Sequence, residues 1–264
     1  MINHTQIKKI SSNLLLLEET IEKDYFIELF LYYISLNNDL KNLVFRGGTC
    51  LKKIYFPDYR FSEDLDFLVK EGIENIPQKL SRVLKKINQD FPAEVEEIKE
   101  KRILQDGHLQ IFFSYDIVSE IYSGNGKELK VDILEDNFLP PFEKRPIKFF
   151  YQDLKKFKAD FLSYDLESIA TDKISHLFDV VDEPRDVYDL WKLLKQDLKF
   201  KKIRKIFIDK HGYFFNINDL ILEIQKPNYK INWKNRLANQ ISDLPDFEKI
   251  NLELEKLIRK NLRF

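Results

Sequence analysis

FRGGTCLKKIYFPDYRFSEDLDFLV, residues 45–69, is the stretch from which the rest of the chain can be read. Val44, Phe45 and Arg46 end a short β-type run, and Gly47-Gly48 interrupts it. Thr49 to Tyr55 then reads as a short helix with Leu51, Ile54 and Tyr55 on one side. A strand, a glycine turn and a helix N-terminus together suit a phosphate. Lacking side chains, Gly47 and Gly48 let backbone N–H groups approach an anion, and the helix dipole favours negative charge there. Lys52 and Lys53 can add positive charge.

Ser62-Glu63-Asp64-Leu65-Asp66-Phe67-Leu68-Val69 reads as the next strand. Residues two apart on a strand share a face, so Asp64 and Asp66 lie together, opposite Leu65 and Phe67. Two carboxylates about 7 Å apart repel by roughly 2 kcal/mol at an effective dielectric of 20. A half-buried strand rarely carries such a pair without a cation, and hard oxygen donors at this spacing suit Mg²⁺ or Mn²⁺ shared with substrate phosphates.

Taken alone, an Asp-x-Asp is most often a solvated strand edge or a turn, and a lone Gly-Gly says less still. The combination is far more specific. GGTCLKK followed by YRFSEDLDF resembles the AbiEii/AbiGii toxin family of the nucleotidyltransferase superfamily, from about Glu22 to about Leu194. That resemblance implies an α+β fold: a nucleotidyltransferase-type mixed sheet with flanking helices, then a mostly helical C-terminal domain. The expected domains are 1–160, holding the core and N-terminal helices, and 161–264, contributing Lys173 to the site.

Along the chain, residues 5–38 read as helical, with Tyr25, Phe26, Leu29, Phe30, Tyr33 and Ile34 near helical period. Within them Glu22-Lys23-Asp24-Tyr25 resembles a motif found before the glycine turn in the family; a charged helix start is the favoured reading over a role in the site. Residues 75–90 form an amphipathic helix with Ile76, Leu80, Val83, Leu84 and Ile87 as its apolar face and Pro77 in its first turn. Strand candidates follow at 93–104, 108–117 and 127–134, in an antiparallel meander, with a turn signal at Ser123-Gly124-Asn125-Gly126. In the last strand Asp132 faces away from Val131 and Ile133. It is either an edge residue or, as the resemblance implies, the third metal carboxylate beside Asp64 and Asp66. Residues 135–160 read as irregular to extended.

The second informative stretch is DLESIATDKISHLFDVVDEPRDVYDLWKLL, residues 165–194. Glu167, Ala170, Lys173 and Leu177 share a helix face, and a second helix starts near Pro184. On the residues alone these are surface Glu–Lys pairs worth a few tenths of a kcal/mol each. The resemblance instead implies that Lys173 contacts the triphosphate and that Asp186 or Asp189 completes the site or orients Lys173 and Arg185. The other reading of Arg185, Asp186 and Asp189 is a lock between two helices. His176 has no metal-spaced partner and reads as packing or surface. A basic cluster, Lys195 to Lys210 interleaved with Phe200 and Phe207, is either a solvated helix face or a contact for a nucleic-acid backbone.

Composition bounds these readings without deciding them. The chain has 264 residues with 44% hydrophobic and 33% charged content and a net charge of −1, an ordinary globular profile without a global pull toward nucleic acid. Its single cysteine, Cys50, fits a reducing cytoplasm, and the best apolar run, Leu14–Leu17, is far too short to span a bilayer. The resemblance implies a metal-dependent transfer of NMP from an NTP to an acceptor hydroxyl, by the toxin of a toxin–antitoxin or phage-defence pair. Asp64, Asp66 and Asp132 would hold Mg²⁺ (or Mn²⁺), while Gly47, Gly48, Thr49, Lys52, Ser62 and Lys173 hold the phosphates. RNA, a tRNA 3′ end first, is the expected acceptor, and a cognate antitoxin the expected partner. A protein hydroxyl as acceptor and a non-catalytic nucleotide-binding module are the competing readings.

Overall fold

The computed structural model describes residues 1–122, 124, 126–179 and 183–261. The chain divides into two compact units, Met1–Ser163 and Tyr164–Phe264. Among the described residues no helix is long and apolar enough to cross a membrane.

The first unit is built on a mixed sheet. Its strands are β1 (Val44–Arg46), β2 (Asp64–Val69), β3 (Glu94–Glu97), β4 (Ile103–Gln105), β5 (His108–Asp116), β6 (Glu128–Glu135), β7 (Phe142–Pro146) and β8 (Asp160–Tyr164). They run in the order β3-β5-β6-β2-β1-β8-β7, with β4 also on β5. β2 pairs with β6 in parallel and β1 with β8 in parallel, while β1–β2, β3–β5, β4–β5 and β5–β6 are antiparallel. The antiparallel meander expected over 93–134 is therefore present, although 93–104 is two short strands joined by a helical turn rather than one. The turn signal at 123–126 falls partly outside the described residues.

Alternation sorts the faces. Leu109, Ile111 and Phe113 of β5, Leu129, Val131 and Ile133 of β6, and Leu65 and Phe67 of β2 are fully buried. Helix α1 (His4–Leu14) and helix α2 (Glu18–Leu36) precede the sheet, and α2 covers the apolar face of β5: Phe26 stacks on Tyr115 with centroids 4.5 Å apart, and Phe30 meets Phe113 at 5.2 Å. The stretch 5–38 is helical as expected, in two helices, because Leu15 takes a left-handed backbone, φ 53°, and the Leu16 amide returns to the Ser11 carbonyl.

Helix α3 (Gly47–Cys50) continues as a π-helical turn over Leu51–Tyr55. Helix α4 (Ile76–Asp90) has the expected apolar face, with Pro77 in its first turn. The second unit is helical: α5 (Leu166–Asp179), α6 (Pro184–Leu194), α7 (Phe200–His211), α8 (Ile217–Ile224), α9 (Pro227–Leu237) and α10 (Phe247–Asn261).

Candidate active site

The face of the sheet opposite Phe67 and Val131 carries the polar residues. Pairing sets them in rows: Arg46 of β1, Asp66 of β2, Asp132 of β6 and Gln110 of β5 stand in register, and Asp64 pairs with Lys130 in the next row. Two strands about sixty residues apart in sequence thus bring Asp64, Asp66 and Asp132 onto one surface.

The charge of these carboxylates is met from within. Lys130 Nζ lies 2.7 Å from Asp132 Oδ2 and 3.8 Å from Asp64 Oδ2. Burial alone would lower the Lys130 ammonium, but the Asp64 charge and the Asp132 hydrogen bond outweigh it and hold it above the usual lysine range. Asp132 Oδ1 is buried without a hydrogen-bond partner among the described residues, with His108 Nε2 at 3.3 Å. Among the described residues no three His, Cys, Asp or Glu side chains are already gathered as a metal cage. The donors nevertheless fit a hard divalent ion. They are carboxylate oxygens, one of them is buried and unsatisfied, and two of them already share a cation in the Lys130 ammonium.

The glycine turn closes on the same carboxylates. Gly47 has φ +77°, and a Cβ there would fall inside the Asp66 carboxylate. A Cβ on Gly48 would come within 2.5 Å of Arg60 Nη2 and 3.4 Å of Ser62 Oγ. Gly47 therefore needs glycine for backbone and space, and a side chain at Gly48 would have to push the Arg60 guanidinium aside. The Thr49 hydroxyl donates to the Asp64 carbonyl and pins the turn to β2. Ser62 and the buried Arg60 thus stand beside the turn, and Arg60 Nη1 donates to the Phe61 carbonyl at 3.2 Å.

The two adjacent lysines diverge on the π-helical turn. Lys52 is nearly buried; its Nζ donates to the Tyr59 carbonyl at 3.1 Å and sits 3.8 Å from the Phe61 ring centroid. Burial pushes its ammonium down to about 8. Lys53 runs the other way, into α2, 2.7 Å from Asp24 Oδ1 and 2.9 Å from Glu28 Oε1. Glu28 also accepts the Phe150 amide, and Asp24 Oδ2 accepts the Tyr151 hydroxyl at 3.1 Å. Glu22 accepts the Ile117 and Val118 amides and Lys127. The expected charged helix start at 22–25 is corrected: α2 begins four residues earlier, and Glu22 and Asp24 are buried partners of other segments.

In the second unit, Lys173 Nζ lies 2.6 Å from Asp186 Oδ1 and 2.8 Å from Asp189 Oδ2, with both aspartates buried. His176 shares Asp186, whose hydrogen bond raises the imidazole above its usual range. Arg185 instead pairs with Glu183, Nε to Oε1 at 2.9 Å. Both expected aspartates therefore converge on Lys173. Sequence reading missed Lys130 and Arg60. Lys130 was signalled by its place two residues before Asp132, on the same strand face; nothing in the local pattern marked Arg60.

A search of curated proteins finds no match to this chain. Among solved structures, MenT4, a nucleotidyltransferase toxin from Mycobacterium tuberculosis H37Rv, is similar with a TM-score of 0.70 at 14% identity, over 98% of this chain and 89% of that one. JHP933 from Helicobacter pylori is similar with a TM-score of 0.55 at 16% identity, over 94% of this chain and 93% of that one. At these identities the likeness is one of fold. The sequence model described as the nucleotidyl transferase AbiEii toxin of type IV toxin–antitoxin systems matches residues 29–253. The chain belongs to the AbiEii toxin family and is a nucleotidyltransferase, a family membership that implies an NTP substrate and a cognate antitoxin.

Proposed function

We propose that this chain transfers a nucleoside monophosphate from an NTP to a hydroxyl of RNA, a tRNA 3′ end first, in a reaction that depends on Mg²⁺ or Mn²⁺. The observation that carries the reading is the register that sets Asp66 beside Asp132, with the Gly47 turn closed on Asp66. Asp64, Asp66 and Asp132 are the residues that would hold the metal. The chemistry a divalent ion supplies in such a site is stabilisation of charge on the entering and leaving oxygens.

The chain's own residues do the positioning. The Gly47-Gly48-Thr49 backbone offers N–H groups to the phosphates. Thr49 contributes only its backbone, because its hydroxyl is spent on Asp64. Ser62 and Arg60, beside Gly48, add side-chain donors. Lys52 acts as a brace for the loop that carries them, its amine being turned to the Tyr59 carbonyl. Lys173, with Asp186 and Asp189 as its partners, is the lysine the family pattern gives to the triphosphate. Asp132 is the carboxylate we assign to the attacking hydroxyl. Its buried, unsatisfied oxygen supports that assignment.

The test is transfer of label. Purified protein incubated with each α-labelled NTP, Mg²⁺ and total RNA should move label into RNA of tRNA size. Asp64→Ala or Asp66→Ala should lower the rate by about 10³-fold, the several kcal/mol that metal-assisted charge stabilisation supplies. Label in protein bands would replace the acceptor with a protein hydroxyl. No transfer with any NTP, with or without added metal, would sink the reading.

A further inference from the structure

Lys130 lies nearest Asp132 among the site's cations, with His108 Nε2 3.3 Å from Asp132 Oδ1, and the proposed reaction gives Lys130 no task. Its position is fixed by backbone pairing rather than by a long side chain wandering: β6 sets Lys130 opposite Asp64 and two residues from Asp132, so all three side chains share one face. Its ammonium takes one oxygen of Asp132 at 2.7 Å and lies 3.8 Å from Asp64. The side chain is neither sealed nor loose, at 30% exposure, against 28% for Asp64 and 12% for Asp132. A sealed lysine would be a permanent strut, and a fully exposed one would bind the carboxylates weakly. This one can balance the carboxylates and still leave.

We propose that Lys130 is an internal counter-cation of the carboxylate site, which a divalent ion must displace from Asp64 and Asp132 in order to bind. The inference rests on the metal reading above. A single positive charge on a tethered stem offsets part of the carboxylate repulsion in the nucleotide-free protein. It also opposes a free divalent ion, through charge repulsion and through occupancy of Asp132 Oδ2. A nucleotide triphosphate changes that balance, because it gives the displaced ammonium a new anionic partner. The enzyme would then take metal readily with nucleotide and poorly without it.

Mn²⁺ binding to the nucleotide-free full chain, followed by water proton relaxation, tests this without any turnover. Lys130→Met should bind Mn²⁺ at least about tenfold tighter than the wild type, because no tethered positive charge then repels the ion or competes for Asp132 Oδ2. Lys130→Arg keeps the charge and should retain weak binding, and Lys130→Gln serves where the apolar variant folds poorly. A non-hydrolysable NTP analogue should narrow the gap between wild type and Lys130→Met. Wild-type binding that Lys130→Met and Lys130→Gln leave unchanged or weaken would overturn the role of Lys130 and leave the metal reading standing. Absence of Mn²⁺ binding in every variant, nucleotide present or not, would overturn both.

Discussion

Lys53 and Lys130 each face two carboxylates in the same unit, in opposite surroundings. Lys53 sits 2.7 Å from Asp24 and 2.9 Å from Glu28, with all three side chains 2% exposed or less. Lys130 has one close carboxylate and one at 3.8 Å, is 30% exposed, and leaves a buried Asp132 oxygen unsatisfied. Around Lys53 the carboxylates also take the Phe150 amide and the Tyr151 hydroxyl, which tie the segment 150–151 to α2. The same residue types therefore make a strut in one place and an open site in the other. What separates them is burial: the first group is sealed among segments of the fold, whereas the second opens to solvent and to whatever binds there.

The sharpest way to break this comparison is to remove each lysine. Lys53→Met should destabilise the protein by about 3–5 kcal/mol in urea unfolding, because it leaves Asp24 and Glu28 buried without their cation. Lys130→Met should change stability by less than about 1 kcal/mol. The pH dependence of the first loss has a definite sign. Burial, opposed by Lys53, already raises the Glu28 carboxyl above its ordinary 4.5. Without Lys53 it rises further, so the folded state holds a proton that the unfolded state has lost. The loss should be smallest below about pH 4.5, where Glu28 is neutral in both states, and grow as pH rises through the folded value. Equal losses for the two lysines would end the distinction between strut and site.

A smaller effect separates the glycine turn from an ordinary one. Gly47 and Gly72 both have positive φ, +77° and +84°. An alanine at either should cost about 1–2 kcal/mol of stability from the left-handed backbone. At Gly47 the added methyl also collides with Asp66, whereas at Gly72 its nearest neighbour is Asn75 Nδ2 at 4.0 Å. Gly47→Ala should therefore abolish nucleotidyl transfer, and Gly72→Ala should keep it. Comparable activities in the two variants would mean that Asp66 does not need its place against the turn.

These contrasts mark how far the sequence could be read. Period-two alternation is local, so the two faces of β2, β5 and β6 were legible, as were the apolar stripe of α4 and the glycine turn between β1 and α3. Register between distant strands is not local. Nothing near Lys130 said that it would face Asp64, because that depends on how β6 slides along β2. The break at Leu15 was hidden for a related reason: a left-handed leucine carries no turn signature of its own. Glu22 and Asp24 read as a charged helix start, and only the Ile117 and Val118 amides and the Lys127 and Lys53 ammonium groups explain why they are buried. Lys52 and Lys53 both read as added positive charge, and only the fold shows that Lys52 turns to the Tyr59 carbonyl while Lys53 meets Asp24 and Glu28.

The smallest effect concerns α7, where the question of spent and open charge recurs within the second unit. Lys202 is taken up by Asp165 and Glu167, and Lys210 by Asp172 at 2.8 Å. Lys195, ahead of the helix, pairs with Glu253 at 2.8 Å. Among the described residues Lys201 and Lys205 are exposed, four apart on one face, and have no carboxylate partner. Lys195, Lys202 and Lys210 are thus internally balanced, and Lys201 and Lys205, with the exposed Lys199 just ahead of the helix, are where a phosphate backbone could be met. Lys201→Ala and Lys205→Ala should each leave unfolding within about 0.5 kcal/mol of wild type. If RNA is the acceptor and touches this face, each should weaken RNA binding and make its salt dependence shallower by about one unit of slope. Lys202→Ala should instead lower stability modestly, by stranding Asp165 and Glu167. An unchanged slope in the double variant would return the whole helix to the role of scaffold and move the search for the acceptor contact elsewhere.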